Sequence, residues 1–165
     1  AIFIGKYKTY TYMRDTLILS SNWDTRYLAL AWHFGTWSKD PSRQIGAVAI
    51  GKNGEIIAQG YNGFPRGIED TDERYDIREE KYKYVVHAEM NCIYNAASNG
   101  VSLKGSTVYV HGLPTCSECA KGLIQVGVKR VMAFSKDTPD RWNKSDTLTE
   151  QLFEEAGIEY ESIKV

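Results

Sequence analysis

Four residues of this chain have the types and the spacing needed to build a metal centre. His87 and Glu89 stand two positions apart, and Cys116 and Cys119 form a Cys-x-x-Cys pair that begins 29 residues after the histidine. On a helix, the two cysteines project from the same side of the first turn. One imidazole and two thiolates are ligands that zinc prefers, and three protein ligands leave a fourth position open for water, as in catalytic sites. The pattern therefore predicts a catalytic zinc centre.

Glu89 is placed to move protons beside such a metal. Because it lies two residues from a ligand, its carboxylate can sit near the metal without coordinating it, take a proton from water and pass it to a leaving group. The alternative is a non-catalytic, zinc-stabilised interaction module. A structural zinc needs no adjacent acid, so Glu89 favours an enzyme. The third cysteine, Cys92, lies among apolar residues and is predicted to pack in the core.

The elements that must position these residues alternate between helix and strand. Apolar residues recur every three or four positions from Trp23 to Trp37, which predicts a buried helix, and the Asn-Gly pair at 53–54 predicts a hairpin. Thr147 and Glu150 have the spacing of a helix capping box. The predicted helices cover residues 22–38, 86–99, 116–126 and 147–156, and the predicted strands cover residues 45–51, 55–61, 106–111, 128–134 and 158–163.

This order predicts an α/β domain over residues 1–165, with a mixed sheet that has helices on both faces. Residues 1–20 are predicted to form an extended arm, to which the sequence assigns no role. Residues 62–85 hold seven acidic and five basic residues, and a stretch of this length inside a domain is typical of a functional insertion or lid. A solvated surface loop is the alternative interpretation.

Composition limits the class of partner. The chain has 165 residues, a formal net charge of -1 and three cysteines. Near-neutral charge is not typical of proteins that bind duplex nucleic acid or anionic membranes, but it is compatible with one small anionic ligand. The sequence has no apolar run of about 18–20 residues, so no transmembrane helix is expected. The odd number of cysteines argues against a disulfide framework.

Three stretches give the chain a sharper resemblance to a known family. They read DPSRQIGAV at 40–48, GYNGFPRG at 60–67 and YVVHAEMN at 84–91. Together with the His-x-Glu and Cys-x-x-Cys motifs of zinc nucleobase deaminases, they resemble the zinc-dependent cytidine deaminase superfamily, and within it the deoxycytidylate deaminase branch, over roughly residues 22–135. One departure stands out, because that family usually has proline directly before the first cysteine and here Thr115 intervenes.

The resemblance implies a three-layer α-β-α fold with a mixed central sheet of about five strands. It also implies hydrolytic deamination of dCMP to dUMP and ammonia, which feeds thymidylate synthesis. One Zn²⁺ would be held by His87, Cys116 and Cys119, with Glu89 as the proton shuttle. Alternatives within the enzymes are a dCTP deaminase, a bifunctional dCMP/dCTP deaminase and a tRNA adenosine deaminase, the last disfavoured by the near-neutral charge.

The resemblance further implies which residues bind the nucleotide. Asn62 would contact the deoxyribose, Arg43 would meet the phosphate or the side of the nucleotide near the base, and backbone groups near Ala88 would read the base edge. Arg141 and Lys136 are further candidates for the phosphate, which needs cations. Each arginine could equally be an ordinary surface charge, and Asn62 could be a plain turn residue.

Assembly and regulation are also implied by the resemblance. Many members of the family are homo-hexamers that dCTP activates and dTTP inhibits. Arg66, Arg74 and Arg78 in the charged stretch are candidates for such an effector site, where Mg²⁺ could accompany the nucleotide. With no signal-peptide pattern, the enzyme is expected to be cytoplasmic, in the host cytoplasm if a virus encodes it.

Overall fold

A computed structural model describes residues 22–165 of the chain, and the predicted arm over residues 1–20 lies outside the described residues. The helices are α1 (Asn22–Gly35), α2 (Asp72–Asp76), α3 (Arg78–Tyr84), α4 (Ala88–Ser98), α5 (Ser117–Gln125) and α6 (Asn143–Ala156). The strands are β1 (Gly46–Ile50), β2 (Ile56–Tyr61), β3 (Thr107–His111), β4 (Arg130–Ser135) and β5 (Glu159–Lys164). A 3₁₀ turn at Asp140–Trp142 precedes α6. Within residues 22–165, no helix has the length and apolar character needed to cross a membrane.

The strands form one mixed sheet in the order β2-β1-β3-β4-β5. β1 runs antiparallel to both β2 and β3, whereas β3, β4 and β5 are parallel to one another. Parallel neighbours need a crossover connection, and the helices α5 and α6 provide it. The predicted mixed sheet of about five strands is therefore confirmed.

Alternating side chains of β1, β3 and β4 build two hydrophobic cores. Ala47 and Ala49 of β1 face the core that α4, α5 and α6 cover, while Val48 and Ile50 face the core that α1 covers. This period of two is what a sheet buried on both faces requires. The result is the predicted three-layer α-β-α arrangement. Cys92 of α4 has no exposed surface and lies in the first of these cores, as predicted.

Two glycines bring the helices directly onto the sheet. A Cβ atom at Gly46 of β1 would lie 1.8 Å from the Ala31 carbonyl oxygen of α1, and one at Gly60 of β2 would lie 2.4 Å from the Cys92 nitrogen of α4. Real Cβ atoms do not approach backbone this closely, so only glycine permits these contacts. The Gly60 contact matters for the site, because α4 carries the predicted metal ligand and acid at its first turn.

The structure corrects several predicted boundaries. α1 ends at Gly35 rather than at residue 38, and α6 begins at Asn143, four residues before its predicted start. The predicted capping box is wrong, because the Thr147 hydroxyl lies inside α6 and donates to the Asn143 carbonyl at 3.0 Å. The 3₁₀ turn supplies an already turned backbone on which α6 begins. Gly157 does end α6, with a left-handed φ of 72°.

The charged stretch 62–85 is a structured segment, with α2 and α3 inside it. Its aromatic residues pack on one another, since the rings of Phe64 and Tyr75 are stacked with centroids 4.3 Å apart. A short antiparallel bridge pairs Gly63 with Val86, so the two ends of the segment lie together. The segment therefore forms a loop that closes at Val86, the residue directly before His87.

Candidate metal centre and substrate cleft

The three predicted metal ligands converge. The His87 Nδ1 atom lies 3.3 Å from the Cys116 Sγ atom and 3.4 Å from the Cys119 Sγ atom. All three ligand atoms lie within 4.8 Å of one another. In a tetrahedral zinc site, nitrogen and sulfur ligands are about 3.6 Å apart, given bonds of about 2.0–2.1 and 2.3 Å. The three residues therefore fit zinc closely without rearrangement of the backbone.

Two helix N-termini place these ligands. His87 directly precedes the first residue of α4, with extended backbone angles, and its ring makes no capping hydrogen bond to that helix. Cys116 holds the same position before α5, and its Sγ atom accepts a hydrogen bond from the Cys119 N–H at 3.4 Å. Both helix ends carry partial positive charge, which favours thiolates over thiols. The fold thus aims two electropositive helix ends at one point.

The protonation states of the three groups depend on one another through Cys116. A hydrogen bond from Cys119 and a further one from His87 outweigh burial and lower the pKa of Cys116 to about 4. The bond to Cys116 raises the pKa of His87 to about 9, and the hydrogen bond to Cys116 together with burial raises that of Cys119. Cys116 is therefore a thiolate at neutral pH. The protons that the three groups share are those that a bound metal displaces.

Glu89 lies in the first turn of α4, two residues beyond His87. Its carboxylate does not belong to the group of three converging ligand atoms. Only 4% of its surface is exposed. Burial, followed by the charge of Cys116, raises the pKa of Glu89 to about 7. Near neutral pH the carboxyl can therefore take up and release a proton, which is what general acid–base chemistry requires.

The extra residue Thr115 is accommodated by contacts from α6. Thr115 is fully buried, and its carbonyl accepts a hydrogen bond from the Thr149 hydroxyl at 2.9 Å. On the other side of Cys116, the Ser117 N–H donates to the Ser145 hydroxyl at 3.1 Å. α6 therefore holds the chain both before and after the first cysteine, so the departure from the family pattern leaves Cys116 at the metal centre.

A cleft of about 240 Å³ opens onto this centre. Six residues singled out from the sequence line it: Arg43, Asn62, His87, Glu89, Cys116 and Arg141. Ala88 is fully buried, and its carbonyl packs where a side chain at Gly60 would lie, so its predicted backbone contact with a base stays a prediction. Lys136 lies in a different cavity, next to the cleft.

The three predicted substrate-binding residues in the cleft differ in how many hydrogen bonds they make to the rest of the protein. Both terminal nitrogens of Arg43 donate to backbone, at 2.9 Å to the Lys136 carbonyl and at 3.1 Å to the Asp137 carbonyl. Asn62 is hydrogen-bonded to the segment before β1 through both its oxygen and its nitrogen. Arg141 is exposed and has no hydrogen bond or ion pair to any other described residue. Arg141 is thus the cation best placed to take an anionic ligand.

The three candidate effector arginines each bond to a different partner. Arg66 donates to Asn95 at 2.7 Å in a second cavity, Arg74 donates to a backbone carbonyl within its own segment, and Arg78 donates to the Tyr82 hydroxyl at 3.1 Å. Across residues 22–165, the one group of three His, Cys, Asp or Glu residues that could hold a metal ion is His87, Cys116 and Cys119. The Mg²⁺ that could accompany an effector nucleotide stays a prediction.

Sequence reasoning missed two charged residues that line the cleft. The Lys81 Nζ atom of α3 lies 3.1 Å from the Asp40 Oδ2 atom, and both side chains are almost completely buried. Lys81 stands in a run of charges that is typical of solvated surface, so nothing in its neighbourhood indicates burial. Asp40 does lie in the DPSRQIGAV stretch, and the family resemblance of that stretch could have indicated that Asp40 is close to the site.

Comparisons with known proteins agree with this geometry. A family model described as "Cytidine and deoxycytidylate deaminase zinc-binding region" matches residues 21–135. The chain is 36% identical over 148 residues to human deoxycytidylate deaminase, a match that covers 84% of this chain and 78% of that protein. It is 37% identical over 149 residues to a probable deoxycytidylate deaminase of Drosophila melanogaster, with 84% and 71% covered.

A solved structure has the same fold. The dCMP deaminase of cyanophage S-TIM5, in complex with dCMP and dUMP, matches with a TM-score of 0.66 and 28% identity over 84% of this chain and 94% of that chain. The family match includes His87, Glu89, Cys116 and Cys119 and four of the five strands. This chain therefore belongs to the cytidine and deoxycytidylate deaminase family.

Proposed function

We propose that this chain is a zinc-dependent deoxycytidylate deaminase, which hydrolyses dCMP to dUMP and ammonia. The observation that carries the proposal is the buried Glu89 carboxyl beside three converging zinc ligands, at the floor of a cleft. A structural zinc site needs neither the acid nor the cleft. Relatives named deoxycytidylate deaminase and a related structure with dCMP and dUMP bound support the choice of substrate.

Metal binding and proton transfer in this hydrolysis are assigned to different residues. His87, Cys116 and Cys119 would hold zinc, and a zinc ion bound there would supply the Lewis acidity that makes water nucleophilic near neutral pH. Glu89 takes a proton from the attacking water and delivers it to N3 of the pyrimidine while the oxygen bonds to C4. Glu89 then carries the remaining water proton to the amino group. The bond from C4 to the amino nitrogen breaks, ammonia leaves and the carbonyl of dUMP remains.

The walls of the cleft orient the nucleotide for this attack. Arg43 ties the segment before β1 to the loop after β4, because it donates to two carbonyls of that loop. Since that loop leads to Arg141, the Arg43 contacts hold the two sides of the cleft at a fixed separation. A substrate held in this way gains rate through proximity to the reacting groups.

Arg141→Ala is expected to raise the KM for dCMP by at least about tenfold, because a charge-assisted hydrogen bond to the phosphate is lost. Deoxycytidine has no phosphate, so its slower deamination should be unchanged. Steady-state kinetics with both substrates measure the difference. Lys144→Ala, which removes an exposed cation from the next turn, is the matched control. An equal effect of Arg141→Ala on both substrates would contradict the assignment.

A panel of substrates separates the candidate activities. Ammonia release should be fastest from dCMP, slower from dCTP and slowest from cytidine. A preference for dCTP would favour the triphosphate alternative. Absence of ammonia from every cytosine nucleotide, in protein with zinc bound, would favour the non-catalytic module.

We also propose a cytoplasmic homo-hexamer regulated by dCTP and dTTP, as the family resemblance implies. Arg66, in the second cavity next to Asn95, is the strongest of the three effector candidates. Arg74 and Arg78 bond within the charged segment and are not among the residues that line this second cavity. These features of assembly and regulation are predictions.

A further inference from the structure

A buried ion pair joins the charged segment 62–85 to the loop before β1. The Lys81 Nζ atom lies 3.1 Å from the Asp40 Oδ2 atom and donates to the Ser42 hydroxyl at 2.8 Å. The side chains of Lys81 and Asp40 are only 11% and 4% exposed. Burial of both charges carries a desolvation cost that their attraction often fails to recover. Stability alone is therefore a poor reason for this pair.

An exposed ion pair already links the same two segments. The Lys39 Nζ atom lies 2.8 Å from the Asp70 Oδ2 atom, and these side chains are 68% and 42% exposed. If the buried pair served only to attach the segment, this surface contact would duplicate it. Lys81 and Asp40 line the cleft, which indicates instead that the buried pair has a role in ligand binding.

Asp40 is held as a carboxylate that can only accept hydrogen bonds. Burial acts to raise its pKa, but hydrogen bonds from Ser42 and Lys81 outweigh burial and keep the pKa below its usual range. The Asp40 Oδ1 atom accepts from the Ser42 N–H and hydroxyl, at 2.9 and 2.8 Å. The Oδ2 atom faces Lys81 and the side-chain amide of Asn62, at 3.4 Å from the amide nitrogen.

The hydrogen bonds that Asn62 already makes leave its side-chain amide able to accept a further hydrogen bond but not to donate one. Its Nδ2 atom donates to the Arg43 carbonyl at 2.9 Å and to Asp40, so both amide hydrogens are used. Its Oδ1 atom accepts from the Ile45 N–H at 2.9 Å and keeps a second lone pair. Toward the cleft, Asn62 can therefore only accept a hydrogen bond.

The nucleotide offers few donors to such an acceptor. The amino group of dCMP must lie at Glu89 and the metal centre in order to react. With the 5′ position carrying phosphate, the remaining donor on the deoxyribose is the 3′-hydroxyl. We propose that Lys81 and Asp40 are positioning residues: Asp40, held in place by Lys81, accepts the second amide hydrogen of Asn62 and so makes Asn62 an acceptor for the substrate 3′-hydroxyl. The inference rests on the proposed function.

Lys81→Met tests this by comparing dCMP with 2′,3′-dideoxycytidine 5′-monophosphate, which lacks the 3′-hydroxyl. The wild-type chain should prefer dCMP by at least about 100-fold in kcat/KM, because a site built to bond a hydroxyl rejects the analogue without it. Lys81→Met should reduce that preference by at least about tenfold, with little change in kcat/KM for the dideoxy nucleotide. A merely structural role would lower the rates on both nucleotides alike.

A second variant keeps the test decisive if Lys81→Met fails to fold. Asp40→Leu combined with Lys81→Met leaves no buried charge unpaired, which favours folding, and should show the same reduced preference. Lys39→Met is the matched control, since it breaks the exposed pair between the same segments and should leave both rates unchanged. Circular dichroism and zinc content establish that each variant is folded and loaded.

The outcomes separate the inference from the proposed function. A wild-type chain that deaminates both nucleotides equally well would overturn the inference, as would folded variants that keep the full preference. In either case the proposed function stands, because dCMP is still deaminated. A wild-type chain that does not deaminate dCMP would overturn both.

Discussion

Glu89→Gln should reduce turnover of dCMP by at least about 1,000-fold while the protein retains its zinc. Glutamine has nearly the same shape and fits the same buried space, but its amide cannot take a proton from water and hand it to N3 or to the amino group. The metal ligands are not altered, so zinc should stay at about one ion per chain. Ammonia release and metal analysis on the same preparation measure the two quantities.

Glu118→Gln is the matched control for this variant. Glu118 lies between the two cysteine ligands but is exposed and paired with Lys121, so its loss should leave turnover within about twofold of wild type, as for a surface substitution. A Glu89→Gln variant that released ammonia at the wild-type rate would show that the proton shuttle lies elsewhere. Loss of zinc from that variant would show instead that Glu89 helps to hold the metal.

Cys116→Ser should lose zinc and a large part of the stability of the fold. A serine hydroxyl is not ionised near neutral pH, whereas Cys116 is a thiolate there. Because metal binding adds to folding free energy, loss of the ion should lower the free energy of unfolding by at least about 3 kcal/mol, or roughly 10 °C in Tm. Metal analysis and thermal unfolding measure the effect, and a chelator should bring the wild type close to the variant.

Cys92→Ala is the matched control, because Cys92 is a buried cysteine of α4 that faces the core rather than the metal. It should keep about one zinc per chain and lose only packing energy, roughly 1 kcal/mol. A Cys116→Ser protein with a full complement of zinc and an unchanged Tm would contradict the assignment of Cys116 as a ligand.

The metal centre was predictable from sequence because chemistry restricts the residues that can build it. Imidazole and thiolate ligands must be His and Cys, and the helical spacing of Cys116 and Cys119 already places both on one side of a turn. The alternation of strands and helices likewise follows from hydrophobic patterning, so the mixed sheet of the structure was expected. Both features are local in the chain, or follow from local patterns.

The features that sequence reasoning missed depend on contacts between distant segments. Lys81 and Asp40 are 41 residues apart, and a lysine in a charged run shows no sign that it will be buried. The contact of Arg43 with a nucleotide stays a prediction, but the bonds of its guanidinium to two carbonyls more than 90 residues away were not foreseen. The early start of α6 depends on the 3₁₀ turn before it, which outweighed the capping pattern at Thr147.

The most direct test of the account is the reaction itself, run with zinc-loaded protein and dCMP in water enriched in oxygen-18. Hydrolytic deamination predicts that ammonia and dUMP appear in equal amounts, and that each dUMP carries one heavy oxygen, bonded to C4. Mass spectrometry of the product and an ammonia assay measure both quantities in one experiment. Zinc-loaded protein that leaves dCMP unchanged, or that forms dUMP without heavy oxygen, would contradict the account.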